Sequence, residues 1–175
     1  MRQDLRRHHP RPCSKGFTLV ELLIVVAIIA LLAAVLIPRL GDSSADAKDA
    51  VLYENLQRLR HQIELFRVDH DGNVPGFAGE DAHEQMLKYT DIAGALSDTP
   101  SATHRYGPYF ANGMPENPFN GGTAWKTSAD PSGETPDADL TEGGQVVGWF
   151  YDPAAGVVAP NAEGTTRTGV SRITL

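Results

Sequence analysis

The sequence predicts an α+β protein: one long N-terminal helix packed on a small antiparallel β-sheet. Three observations carry this. From Leu22 to Ile37 no residue has a polar side chain. From Ser44 to Asp69 apolar residues return at helical spacing. Past Gly121, short runs of strand formers alternate with turn residues. The chain divides accordingly into a basic leader (1–16), a transmembrane helical segment (17–37), an amphipathic helix continuing into the head (38–71) and an exported α+β head (72–175).

In the leader, Arg2, Arg6, Arg7, Arg11 and Lys15 face a single acid, Asp4. This stretch is therefore +4, and with the whole chain at −7 the remainder carries −11. Pro10 and Pro12 oppose helix there. Basic before and acidic after an apolar run predicts a cytoplasmic N-terminus and an exported C-terminal part. The acidic remainder argues against nucleic-acid binding, which needs a basic face. The one cysteine, Cys13, lies in the leader, so the exported part has no disulfide.

From Phe17 to Ile37 the apolar run is about 21 residues, roughly 30 Å as a helix, which matches a bilayer core. Glu21 interrupts it. A charge in such a span costs about 2.5–3.5 kcal/mol, so it needs a reason. One turn from the helix start, a carboxylate favours the positive end of the helix dipole. Pro38 closes the run by removing a backbone donor, which predicts a kink or local melting. Gly41 and Asp42-Ser43-Ser44 weaken the helix further. A secretory signal peptide would have a shorter and uncharged apolar region. The twin-arginine reading of Arg6-Arg7 fails because His8, His9, Pro10, Arg11 and Pro12 follow, where an apolar region should.

Lys15-Gly16-Phe17-Thr18-Leu19, with Glu21 and Pro38, resembles the cleavage and methylation segment of the type IV pilin and type II secretion pseudopilin superfamily. The resemblance implies a single-pass inner-membrane precursor with a periplasmic head. It implies a cut by prepilin peptidase between Gly16 and Phe17, and N-methylation of Phe17. It also implies assembly into a filament, with Glu21 pairing to the Phe17 amine of a neighbouring subunit and a helix that stretches near Pro38. The partners implied are further copies of the chain, other pseudopilins, the peptidase, an inner-membrane assembly platform, and membrane lipid before assembly.

In the second half of the helix, Leu52, Leu56, Leu59, Ile63 and Phe66 line one stripe, predicted to pack on the sheet. Gly72 suits a C-cap, and Asn73 and Pro75 stop continuation. Asp69, Asp71, Asn73 and Glu80 fall at calcium-loop offsets, but the turn glycine is replaced by Val74, so the pattern reads as an acidic helix end. His70, His61 and His83 lack metal-ligand spacing and read as exposed helix and loop histidines.

A short helix is expected over 81–89, with Met86, Leu87 and Tyr89 packing, and another turn over 92–96. Tyr106-Gly107-Pro108-Tyr109-Phe110 and Pro115-Glu116-Asn117-Pro118-Phe119-Asn120-Gly121 resemble the passage into the sheet of the major, G-type pseudopilin. Strands are expected over 123–127, 145–151 and 156–160. Asp152-Pro153-Ala154-Ala155-Gly156 joins the last two as an antiparallel hairpin. The loop 128–144 carries Asp130, Glu134, Asp137, Asp139 and Glu142. The G-type resemblance implies a calcium ion in a C-terminal loop, though its ligands do not map onto these acids. Residues 161–175 read as an edge strand or a loose tail.

No nucleophile–base pair or phosphate-binding glycine loop stands out, so the expected role is structural rather than enzymatic. The expectation is a pseudopilin of a type II secretion pseudopilus. The alternatives are a type IV pilus pilin and a membrane-anchored binding protein that never polymerises.

Overall fold

A computed structural model describes residues 16–175, with the side chains of 35–43 outside the described set. Residues 1–15 of the leader, Cys13 among them, therefore lie outside the described residues. The chain forms two compact units, one ending at Asp42 and one from Ser43 to Leu175.

Helix α1 runs from Leu19 to Asp69. It is continuous through Pro38 and Gly41–Ser44, where a kink or local melting was expected, and it does not melt there. A proline removes one intrahelical bond, and in this chain that loss does not end the helix. The C-terminal end is closed by two residues rather than by Gly72 alone. Asp71 (φ 53°) and Gly72 (φ 89°) both turn left-handed, and the Gly72 N–H reaches back to the Arg67 carbonyl at 2.8 Å.

The head is built on the predicted stripe: Leu52, Leu56, Leu59, Ile63 and Phe66 are all buried. They share one cluster with Met86, Tyr109, Phe110, Trp125, Trp149, Tyr151 and Val158. Helix α2 (Ala82–Leu87) is shorter than expected. Asp81 caps it, accepting from the Glu84 N–H, and Tyr89 belongs instead to a two-residue strand. That strand, β1 (Tyr89–Thr90), pairs antiparallel with β2 (Leu96–Ser97), so Leu96, expected at the end of a turn over 92–96, is instead a strand residue.

The main sheet contains β3 (Ala124–Thr127), β4 (Thr141–Glu142), β5 (Gln145–Asp152) and β6 (Val157–Pro160). β5 and β6 form the expected antiparallel hairpin. β3, however, runs parallel to β5, so the sheet is mixed and not purely antiparallel. The physical reason is the length of 128–144. A connection of that size can return the chain to the start of a parallel neighbour, which a tight hairpin cannot. Within it β4 pairs antiparallel with the beginning of β5.

Gly148 sets the faces of the sheet. Ala124 faces Val147 but Trp125 faces Trp149, which leaves Gly148 as an extra residue on β5. Simple alternation would put Val147 on the side of Trp149 and Tyr151. The bulge moves it to the other face, where it packs with Phe150, Ala159 and Ile173. A Cβ on Gly148 would collide with the Gly122 carbonyl. One face of the sheet thus meets α1. The other is covered by residues near the C-terminus, where a short 3₁₀ turn (Arg172–Thr174) seats Ile173. The expected edge strand or loose tail is replaced by this anchored segment.

Most polar groups inside the head are paired; among the described residues, Trp125 Nε1 and His83 Nε2 are buried without a hydrogen-bond partner. Trp149 Nε1 donates to the Pro115 carbonyl at 2.9 Å, and the Tyr151 hydroxyl to the Pro75 carbonyl at 2.9 Å. Tyr109 donates to Asp69 Oδ2 at 2.9 Å, and burial holds its hydroxyl well above the usual phenol range. His70 is buried rather than exposed. It stacks on Phe66 at 3.9 Å, with Nδ1 2.9 Å from the Phe66 carbonyl and Nε2 2.9 Å from Thr90 Oγ1.

Candidate functional site: the start of the N-terminal helix

Gly16, Phe17 and Thr18 precede the helix and are exposed, and α1 begins at Leu19. The reason for that start is local. Glu21 Oε2 accepts from the Thr18 N–H at 2.9 Å and from the Thr18 hydroxyl at 2.8 Å. The Glu21 N–H donates to Thr18 Oγ1 at 3.2 Å. This is a reciprocal capping box, which satisfies donors that a helix start leaves open. The Thr18-x-x-Glu21 spacing was legible in the sequence as that signature. The dipole argument found Glu21 but missed Thr18. Among the described residues Oε1 takes no hydrogen bond, so one carboxylate oxygen is left for another donor.

Behind this cap the helix is apolar on every side. Phe17 is 80% exposed and Ile28, mid-helix, 52%; Leu22, Leu23, Ile24, Val25, Val26, Ile29, Leu31 and Leu32 are exposed as well. Each such side chain gains about 1.5–3 kcal/mol from leaving water, so this surface calls for lipid or for other helices. Among the described residues no helix is long and apolar enough to cross a membrane. The last three residues of the span expected over 17–37 fall among 35–43, whose side chains lie outside the described set.

Among the described residues, nothing lies within 4 Å of the position a Cβ on Gly16 would take. The fold itself therefore does not demand glycine there, in contrast to Gly148. Pro38 lies within the helix, and its side chain is outside the described set.

Three of the five loop acids have local partners. Asp130 Oδ1 accepts from the Gly133 N–H, Asp137 Oδ1 from the Asp139 N–H, and Glu134 pairs with Lys126 at 3.6 Å. At the helix end Asp69 holds Tyr109, and Asn73 Nδ2 donates to the His70 carbonyl. Among the described residues no group of three His, Cys, Asp or Glu is arranged to hold a metal. Short polar side chains closing their own turns are the physical alternative to ligation.

Residues 11–37 match the family described as prokaryotic N-terminal methylation motif. The type IV major fimbrial protein FimA of Dichelobacter nodosus is 30% identical over 150 residues, covering 81% of this chain and 83% of that protein. The chain belongs to the type IV pilin family. By family it is a structural protein and not an enzyme. The type IV wide pilus major component PilA4 of Thermus thermophilus is 48% identical over 58 residues, 33% of this chain. The type IV major pilin protein PilA of Myxococcus xanthus is 34% identical over 101 residues, 58% of this chain. The matches span 44% and 38% of those two pilins. No solved structure matches the chain.

Proposed function

We propose that this pilin-family chain is a structural subunit of a type IV pilus. It is made as a membrane-anchored precursor and cut by prepilin peptidase between Gly16 and Phe17. It is then methylated on Phe17 and polymerised with further copies through its apolar helix. The observation that carries this reading is the start of α1: a helix apolar on all sides, entered through a single carboxylate with one oxygen unspent. In a filament core the Glu21 carboxylate and the Phe17 amine of a neighbour would offset each other's desolvation, since neither charge is tolerable there alone. Open space at Gly16 among the described residues supports selection from outside the fold, as an extended backbone in a protease cleft would impose.

The pilus reading stands ahead of a secretion pseudopilus because three of the relatives matched are named as pilins or a fimbrial protein. The G-type pseudopilin reading rests on the 106–121 segment. There Asn117 Nδ2 donates to the carbonyls of Gly148 and Asn161, joining the segment to the sheet. Surface filaments carrying the chain favour the first reading; a protein-export defect on deletion, without such filaments, favours the second.

The test of processing is the intact mass of the protein from its own membranes. A species beginning at Phe17 with one added methyl is expected, and Glu21→Ala should then abolish filaments while leaving membrane insertion intact. A mass beginning at Met1 beside an active peptidase overturns the proposal and leaves a static membrane anchor.

A further inference from the structure

We propose that the segment 163–175 is an ionic latch. It holds the first turns of the head's helix, Ser44–Val51, in helical form, and without it those turns lose their tertiary attachment. The inference does not depend on the filament reading. It starts from what those turns lack. Ser44, Ala45, Ala47, Lys48 and Ala50 are exposed, Val51 is 45% exposed, and the first buried residue of the head's helix is Leu52. Apolar burial, which fastens α1 from Leu52 onward, therefore does not reach them. Helix propagation through an exposed stretch is close to neutral in water, so tertiary attachments decide whether it stays wound.

Among the described residues those attachments are made by charged groups. Arg172 forks Asp49, with Nε 2.5 Å from Oδ1 and Nη2 3.2 Å from Oδ2. Arg167 Nη1 lies 3.4 Å from Asp46 Oδ2. Lys48 Nζ sits 5.6 Å from the Phe119 ring centre, and Arg172 lies over the same ring at 4.3 Å. The Arg172–Asp49 pair is the least exposed of the described ion pairs, at 12% and 14%. Arg172 Nη1 also donates to the Glu163 carbonyl at 2.7 Å. A planar guanidinium suits this combination of fork, carbonyl and ring, where an ammonium would satisfy only part of it.

The backbone that carries Arg172 is itself fixed. Ile173 is buried against Val147, Phe150 and Ala159, and Arg60 Nη2 donates to the Leu175 carbonyl at 2.9 Å. The latch is thus anchored in the sheet and grips the helix. Removing Arg172 leaves Asp49 partly desolvated without a counter-charge. The turns that carry it can unwind into water without exposing any buried apolar side chain.

The test is hydrogen exchange read by mass spectrometry on the full chain in detergent micelles. In Arg172→Leu, amides of 46–51 should exchange roughly tenfold faster or more, while 56–66 keep their protection. The double swap Asp49→Arg with Arg172→Asp should restore protection at 46–51. Arg172→Lys, a milder change, should give partial release. Unchanged exchange at 46–51 in both single variants overturns the latch. Equal loss across 46–51 and 56–66 also overturns it, because Arg172 would then be a general stabiliser of the head.

Discussion

The two ends of α1 share one backbone geometry and have opposite surroundings. From Phe17 to Leu32 the large apolar side chains are exposed all round, whereas from Leu52 to Phe66 one apolar stripe is buried and the other faces are mostly polar, with only Tyr53 and Leu65 as exposed large apolar residues. The difference teaches that helicity and burial are separate properties of a sequence. A helix apolar on every face takes its solvent from outside the chain. A striped helix takes it from the sheet of its own head. Between them lie Ser44–Val51, which have neither, and there charged side chains take over.

The largest effect that sharpens this contrast is a paired truncation. Leu56→Ala should cost the head about 2–5 kcal/mol, because the side chain is fully enclosed and its removal leaves a cavity. Ile24→Ala should leave head stability unchanged within about 0.5 kcal/mol. Urea unfolding followed by tryptophan fluorescence measures both, and equal shifts would refute the separation. Next, Ile24→Asp should oppose membrane insertion by about 2.5–3.5 kcal/mol without moving the head's midpoint, as read by a glycosylation-type insertion assay. Thr18→Ala should weaken the start of α1 by about 1 kcal/mol, seen as faster amide exchange over the first turn.

The smallest effect is a pH slope. Burial holds the His83 imidazole below its ordinary 6.5, opposed by the nearby charges of Asp81 and Glu84. A base with a depressed folded-state value stabilises the fold above 6.5, and that contribution is lost as pH falls through the folded value. The wild-type urea midpoint should therefore decline on mild acidification more than that of His83→Gln. Identical slopes would dismiss the effect.

Periodicity made much of this fold legible. The stripe from Leu52 to Phe66 and the hairpin across Asp152–Gly156 follow from repeat spacing and turn chemistry, which are local. The N-terminal site was legible for the same reason, since an apolar run broken by one acid is a pattern within twenty residues. What escaped was decided by partners distant in sequence. Helical spacing alone could not show that His70 lies among Phe66, Phe77, Tyr106 and Tyr109, because residues beyond its own helix bury it. The short strands β1, β2 and β4 have too few residues to show a period.

By itself the sequence determined the long helix, its two solvents, the cap at Thr18 and Glu21, and the positions of the main strands, because backbone geometry and side-chain spacing act over a few residues. Only the tertiary structure decided the parallel pairing of β3 with β5, the face reversal at Gly148 and the grip of Arg172 on Asp49. Those depend on which residues meet after the loops close, 123 positions apart in the last case, and no local pattern encodes that meeting.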